Sequence, residues 1–152
     1  MRTFGLRFSA AALALALALA APCAGKDLPQ KPTPFDLKPG QELTIPIAIV
    51  DGHVVAGTPR LSKLGTSKPN DGEIVVGLTP APLGSWLETV TATEKTAQPI
   101  DFLATGVNAY VKIDEAEICG RLDAPTSAPI TAASWRVWLN GFEIGKGGPN
   151  CP

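Results

Sequence analysis

The sequence predicts an all-β fold, built as a single-domain antiparallel β-sandwich of about eight or nine short strands. Apolar and polar residues alternate along several segments, which is typical of strands with one buried face. Turn-forming residues separate these segments at the spacing expected between the strands of a sandwich. After residue 25, no segment keeps the apolar period of an amphipathic helix.

Residues 1–25 are predicted to be a secretory signal peptide rather than part of the fold. Arg2 and Arg7 form a basic start, and residues 10–21 are an unbroken Ala/Leu run. That run is shorter than the roughly 20 apolar residues that cross a membrane. We therefore expect a periplasmic or secreted protein, cleaved after Ala20 or Gly25, with no membrane span in the mature chain.

The cleavage position decides how many cysteines the mature chain keeps. The later cut leaves Cys119 and Cys151, an even pair in an oxidising compartment, and so predicts a disulfide between them. The earlier cut also keeps Cys23. Cys23 could then carry the lipid of a lipoprotein, although Pro22 departs from the small residue expected before a lipidated cysteine.

Residues 26–40 are predicted to form a proline-rich N-terminal arm. Its prolines are Pro29, Pro32, Pro34 and Pro39. Proline at this density excludes a helix and favours an extended chain. Phe35 and Leu37 have period-2 spacing, so we expect them to anchor the arm to the domain formed by residues 41–152.

Residues 41–56 predict a first β-hairpin. Apolar residues alternate as far as Val50, Asp51-Gly52 follows, and a second apolar run begins at His53. A two-residue type I′ turn needs positive φ at both central positions, and Asp-Gly favours that conformation. Pro46 cannot donate a ladder hydrogen bond, so we expect this strand at a sheet edge or beside a bulge.

The middle of the chain predicts several more short strands. They are expected over residues 60–65, 73–78, 86–93, 100–104, 107–113 and 116–122. Residues 68–72 are expected to form a turn, and residues 78–86 form a loop because prolines and a glycine interrupt them.

Residues 134–145 repeat the hairpin signal, with Asn140-Gly141 as the predicted turn. By alternation, one face of the first strand should point to the core. That inward face consists of Trp135, Val137 and Leu139. The whole pattern fits an immunoglobulin-like sandwich, but the cysteine–tryptophan–cysteine spacing of that family is missing, so only the architecture is predicted.

Charge restricts the classes of partner. Residues 1–25 hold two of the 13 basic residues and none of the 14 acidic ones, which leaves a mature net charge of −3. No basic run or cluster is present. We therefore expect no binding to nucleic acid and no electrostatic attachment to anionic lipid.

The residues that could support catalysis are few. His53 is the only histidine and lies beside the first predicted turn, while Asp114, Glu115 and Glu117 cluster near a strand junction. No serine sits in a nucleophile elbow, and too few nitrogen and sulfur ligands remain for zinc. No cofactor is predicted, and His53 or the three acids are the residues that an envelope hydrolase would use.

The tryptophans carry the strongest binding signal. Arg136 and Trp138 are predicted on the outward face of the last hairpin, with Trp138 opposite Glu143. If a second sheet covers that face, Trp138 belongs to the core; if the face is open, the three residues form a recognition patch for a protein or a glycan.

The sequence therefore predicts an exported, non-enzymatic binding module of the bacterial envelope, with a protein or glycan partner. Two alternatives remain open. One is the envelope hydrolase described above. The other is a structural subunit, such as an appendage component, whose proline-rich arm docks on a neighbouring copy.

Overall fold

The computed structural model describes residues 35–145. Within them the chain forms β-strands and no helix. The predicted signal peptide, most of the proline-rich arm and Cys151 lie outside the described residues. The pairing of Cys119 with Cys151 therefore stays a prediction.

The described residues contain ten strands. They are β1 (Asp36–Leu37), β2 (Gln41–Val50), β3 (His53–Ala56), β4 (Arg60–Lys63), β5 (Glu73–Thr79), β6 (Leu87–Lys95), β7 (Ile100–Asn108), β8 (Val111–Ile118), β9 (Thr126–Thr131) and β10 (Arg136–Ile144).

The strands form two antiparallel sheets, which confirms the all-β prediction. A four-stranded sheet has the order β1-β10-β7-β8. A curled six-stranded sheet has the order β3-β2-β5-β6-β9, and β4 pairs with the beginning of β2. Side chains from both sheets form one apolar core, in which Ile45, Val76 and Phe102 are buried.

The described end of the arm is anchored as its period-2 spacing predicted. β1 pairs with β10, and Leu37 is completely buried. The ring of Phe35 meets the ring of Phe142 edge-on, with 5.3 Å between ring centroids. The anchor therefore joins residues near the N-terminus to the last strand.

The first hairpin is confirmed. Val50 pairs with His53, and φ is +51° at Asp51 and +78° at Gly52, as a type I′ turn requires. Pro46 lies where the neighbour of β2 changes from β4 to β3. Its carbonyl accepts a hydrogen bond from Gly57, and a missing N–H is tolerated at such a break in the ladder.

The second predicted hairpin is wrong. β10 continues through Asn140-Gly141 and pairs with β7 on both sides of a bulge. Gly141 has φ +63°, so the glycine that suggested a turn serves the bulge instead. Trp135 consequently precedes the strand and is 69% exposed, whereas we predicted it in the core; Val137 and Leu139 do face inward.

A hairpin that the sequence did not predict joins β7 and β8. Asn108 pairs with Val111, and the turn consists of Ala109 and Tyr110, where one strand over residues 107–113 was expected. Neither residue is a usual former of this turn. β9 was also missed, because Pro129 argues against a strand; β9 lies at the edge of its sheet, where proline is tolerated.

Candidate binding site

Three connections meet at one end of the sheets, which we call the aromatic end. It comprises residues 79–87 between β5 and β6, residues 107–111 around the β7–β8 turn, and residues 131–136 between β9 and β10. Hydrogen bonds join these segments in two places. Ala132 N–H donates to the Trp86 carbonyl over 2.8 Å, and Trp135 N–H donates to the Val107 carbonyl over 3.0 Å.

The aromatic end exposes large apolar side chains. Trp86 is 84% exposed, Trp135 is 69% exposed and Tyr110 is 46% exposed; Leu83 and Leu87 accompany them. Trp86 and Trp135 are two of the chain's three tryptophans, and Tyr110 is its only tyrosine. Exposed apolar side chains that are gathered at one end, rather than scattered, are typical of an interaction surface.

A cleft of about 210 Å³ lies between the β7–β8 turn and the segment before β10. Its lining residues are Val107, Ala109, Tyr110, Trp135 and Arg136. Arg136 is half-buried, and its Nη1 donates to Asp36 Oδ2 over 3.0 Å. The cleft therefore combines two aromatic rings with one guanidinium group held in place by a carboxylate.

The backbone at the cleft is strained. Ala109 has φ +47° and Tyr110 has φ +69°, and a residue with a β-carbon loses roughly 1–2 kcal/mol in this left-handed region. The amide of Asn108 donates to the Ala133 carbonyl over 3.1 Å and holds the turn against the neighbouring segment. Strain that surrounding contacts maintain is a reason to look for function at this turn.

Trp138 lies beside the cleft but is buried. It is 1% exposed, and its ring centroid is 6.2 Å from that of Tyr110. On the sheet it pairs with Asp36 on one side and Thr105 on the other. A strand places successive side chains on opposite faces, so Trp138 points away from the core that Val137 and Leu139 enter.

Buried polar atoms without a hydrogen-bond partner concentrate near the aromatic end. Among residues 35–145 there are five such atoms, and four belong to residues at or next to this end. They are Asp36 Oδ1, Glu88 Oε2, Ser134 Oγ and Trp138 Nε1. Unpaired buried polar groups cost free energy and are rare, so four of them near one end distinguish this end from the rest of the described residues.

Two buried acids near the aromatic end, Glu88 on the core-facing side of β6 and Glu42 on the outer side of β2, have pKa values shifted in opposite directions. Burial raises the pKa of Glu88. Burial also acts to raise the pKa of Glu42, but hydrogen bonds from the hydroxyl of Ser67 and the N–H of Gly65 outweigh it, so that pKa is lowered. Glu42 thus holds the loop after β4 as a charged acceptor, whereas the charged form of Glu88 is disfavoured.

The structure separates the three residues of the predicted patch. Arg136 lines the cleft and Trp138 lies next to Tyr110, but Glu143 is near the far end of β10, where it pairs with Asp101. Sequence reasoning missed Tyr110 and Trp86 as site residues. Trp86 ends the loop that the prolines and the glycine predicted, so the sequence indicated that this side chain would be exposed. Nothing in the sequence indicated that Tyr110 would lie in an exposed turn.

The residues suggested for hydrolysis are placed in separate parts of the fold. His53 is exposed beside the β2–β3 turn. Asp114 accepts a hydrogen bond from the N–H of Thr131 over 2.9 Å, and Glu115 forms an ion pair with Lys112 over 2.9 Å. The bond from Thr131 to Asp114 links the edge strand β8 to β9, whereas the ion pair lies within β8.

Glu117 lies further along β8, where it pairs with Leu103 of β7. Among the described residues, no group of three or more histidine, cysteine, aspartate or glutamate side chains could hold a metal ion. Residues 35–145 also include no helix that is long and apolar enough to cross a membrane.

Comparison of the chain with protein-family models, curated proteins and solved structures found no match. Function is therefore inferred from the geometry of the aromatic end.

Proposed function

We propose that the protein is an exported, non-enzymatic binding module of the bacterial envelope, built on an immunoglobulin-like sandwich that a Cys119–Cys151 disulfide closes. Its partner, a protein or a glycan, docks at the cleft between Tyr110 and Trp135. The observation that carries the proposal is the pair of exposed rings beside Arg136, of which Tyr110 lies in a strained turn.

Aromatic rings and arginine suit this role for physical reasons. Tyrosine and tryptophan present a large contact area and lose little side-chain entropy on binding. Arginine donates several hydrogen bonds from a planar group and stacks on aromatic faces. Asp36 already fixes the orientation of Arg136, so binding orders few additional side chains.

The test is an in-cell crosslinking experiment on the exported protein, with the captured species identified by mass spectrometry. The purified species is then measured for rebinding to the wild type, to Tyr110→Ala and to Trp135→Ala. The ring of Trp135 is largely exposed and that of Tyr110 is about half exposed, so we expect at least about tenfold weaker binding while the fold persists. Val55→Ala is the matched control, because Val55 is a half-exposed apolar residue on β3.

Unchanged affinity in both folded variants would overturn the cleft as the binding site. Turnover of the captured species by the wild type would favour the hydrolase alternative instead. In that case His53→Ala and Glu117→Ala would be the variants to assay.

A further inference from the structure

The loop between β5 and β6 differs from the cleft in its chemistry. Leu83 at its tip is fully exposed, and Trp86 and Leu87 follow it. Pro80 and Pro82 stiffen the loop, so its apolar side chains are held outward at little cost in chain entropy. The loop is a rigid projection rather than a wall of the cleft.

No charged residue occurs in residues 79–87, 105–111 or 131–135, although 18% of the whole chain is charged. The acid that follows the loop, Glu88, points inward and is buried, and burial raises its pKa. At the aromatic end itself only Arg136 is charged, and it is half-buried and paired with Asp36, so the β5–β6 loop can enter an apolar medium without taking an exposed charge with it.

Part of the loop's hydrogen bonding is satisfied within the protein. Pro80 and Pro82 have no N–H, and the Pro82 carbonyl accepts from Ser85 N–H over 2.9 Å. Leu87 N–H donates to Ser85 Oγ over 3.1 Å. Fewer free N–H donors mean a smaller free-energy cost when the loop leaves water, so the two prolines and these two bonds ease insertion at the lipid boundary.

We infer that the loop tip, Leu83 and Trp86, inserts into the boundary between headgroups and acyl chains of a lipid bilayer and holds the aromatic end at the membrane surface. Tryptophan concentrates at this boundary, and leucine enters the apolar side. A glycan fits this loop poorly, because the Ser85 hydroxyl and the Trp86 indole N–H are the only side-chain groups of residues 80–87 that could hydrogen-bond to sugar hydroxyls.

The inference does not rest on the cleft or on its partner, because neither Leu83 nor Trp86 lines the cleft. The charge pattern also predicts which lipids bind. The mature chain is mildly acidic and has no basic cluster, so attraction to anionic headgroups contributes nothing. Insertion should depend on apolar contact alone.

The test uses the full exported chain with vesicles of phosphatidylcholine, and with vesicles in which part of the lipid is phosphatidylglycerol. Binding is measured by co-sedimentation and by the blue shift of tryptophan emission. We expect equal binding to both vesicle types, unchanged by added salt. Leu83→Asp should weaken binding by at least about tenfold, because it replaces a leucine that enters the apolar layer with a charge.

Val50→Asp is the matched control, since Val50 is equally apolar, about half exposed and placed beside the β2–β3 turn, where β2 ends. It should bind vesicles like the wild type. Failure of the wild type to bind, or equal binding by Leu83→Asp, would overturn the inference. Binding only to phosphatidylglycerol vesicles and lost in salt would overturn it as well, by showing electrostatic attachment. Loss of vesicle binding in Leu83→Asp with retained affinity for the cleft partner would separate the two proposals.

Discussion

The two tight hairpin turns within residues 35–145 share a backbone conformation but not a residue chemistry. In the β2–β3 turn, φ is +51° at Asp51 and +78° at Gly52; in the β7–β8 turn, φ is +47° at Ala109 and +69° at Tyr110. Asp-Gly adopts these angles readily, whereas alanine and tyrosine adopt them at a cost. The chain thus uses a relaxed turn where the hairpin is only a connection and a strained turn where a tyrosine must reach the cleft.

The contacts around the strained turn explain how it persists. Asn108 ties it to the segment before β10, and Tyr110 packs beside Trp138. The β2–β3 turn needs no such support, because its own residues favour it. The difference teaches that strain at the β7–β8 turn is maintained by tertiary contacts.

The largest effect is expected from Trp138→Ala, which removes the buried ring beside Tyr110. Trp138 is 1% exposed, so the free energy of unfolding should fall by about 3–5 kcal/mol. Urea denaturation measures it. Trp86→Ala is the control, because Trp86 is mostly exposed and its loss should leave stability within about 0.5 kcal/mol of the wild type. A Trp138→Ala protein as stable as the wild type would show that Trp138 does not support the strained turn.

The same two turns show what local sequence could predict. Asp51-Gly52 signals its own conformation, so the first hairpin followed directly from the dipeptide. Ala109-Tyr110 carries no such signal, because contacts with residues far along the chain hold it. Gly141 signals only a positive φ, and that requirement is shared by a turn and by a bulge, which is why the last hairpin was predicted wrongly.

The candidate site was less predictable than the fold for a related reason. Alternation placed Trp138 on the outward face, and it does point away from Val137 and Leu139. Whether that face is covered depends on what packs there, which includes the ring of Tyr110 from a turn that the sequence did not predict. Arg136 was recognised, but apart from Trp135 its neighbours in the cleft come from the β7–β8 hairpin.

A reciprocal pair of substitutions tests the strain itself. Ala109→Gly should raise the free energy of unfolding by about 1 kcal/mol, because glycine adopts the left-handed conformation without a β-carbon clash. Gly52→Ala should lower it by a similar amount. No atom lies within 4 Å of a β-carbon built at Gly52, so the cost there comes from the backbone alone.

Thermal and urea denaturation of Ala109→Gly and Gly52→Ala give the sign of each change in the free energy of unfolding. A loss of stability in Ala109→Gly would mean that the alanine methyl makes a contact worth more than the strain. It would also remove the distinction between a relaxed and a strained turn.

The smallest effect is expected from Glu88→Gln, which tests how much the buried carboxylate of Glu88, near the aromatic end, lowers the free energy of unfolding. The pKa of Glu88 is raised by burial, so the folded protein binds a proton at this carboxyl more tightly than the unfolded chain does. Its contribution to stability is therefore complete below the unfolded pKa, near 4.5, and is lost as the pH rises through the higher folded value. Glu88→Gln should remove that loss and be slightly more stable than the wild type at pH 7.

The contribution of Glu42 to the free energy of unfolding changes with pH in the opposite direction, and the same experiment measures it. Burial acts to raise its pKa, but hydrogen bonds led by that of Ser67 lower it overall, so its stabilisation is present above the unfolded value and disappears as the pH falls through the folded one. Denaturation of the wild type, Glu88→Gln and Glu42→Gln across pH 3–8 should separate the two acids. Glu88→Gln should gain stability at neutral pH, and Glu42→Gln should lose it. A Glu88→Gln protein less stable than the wild type at pH 7 would mean that the charged carboxylate has a stabilising partner. Glu88 would then not destabilise the folded protein at neutral pH.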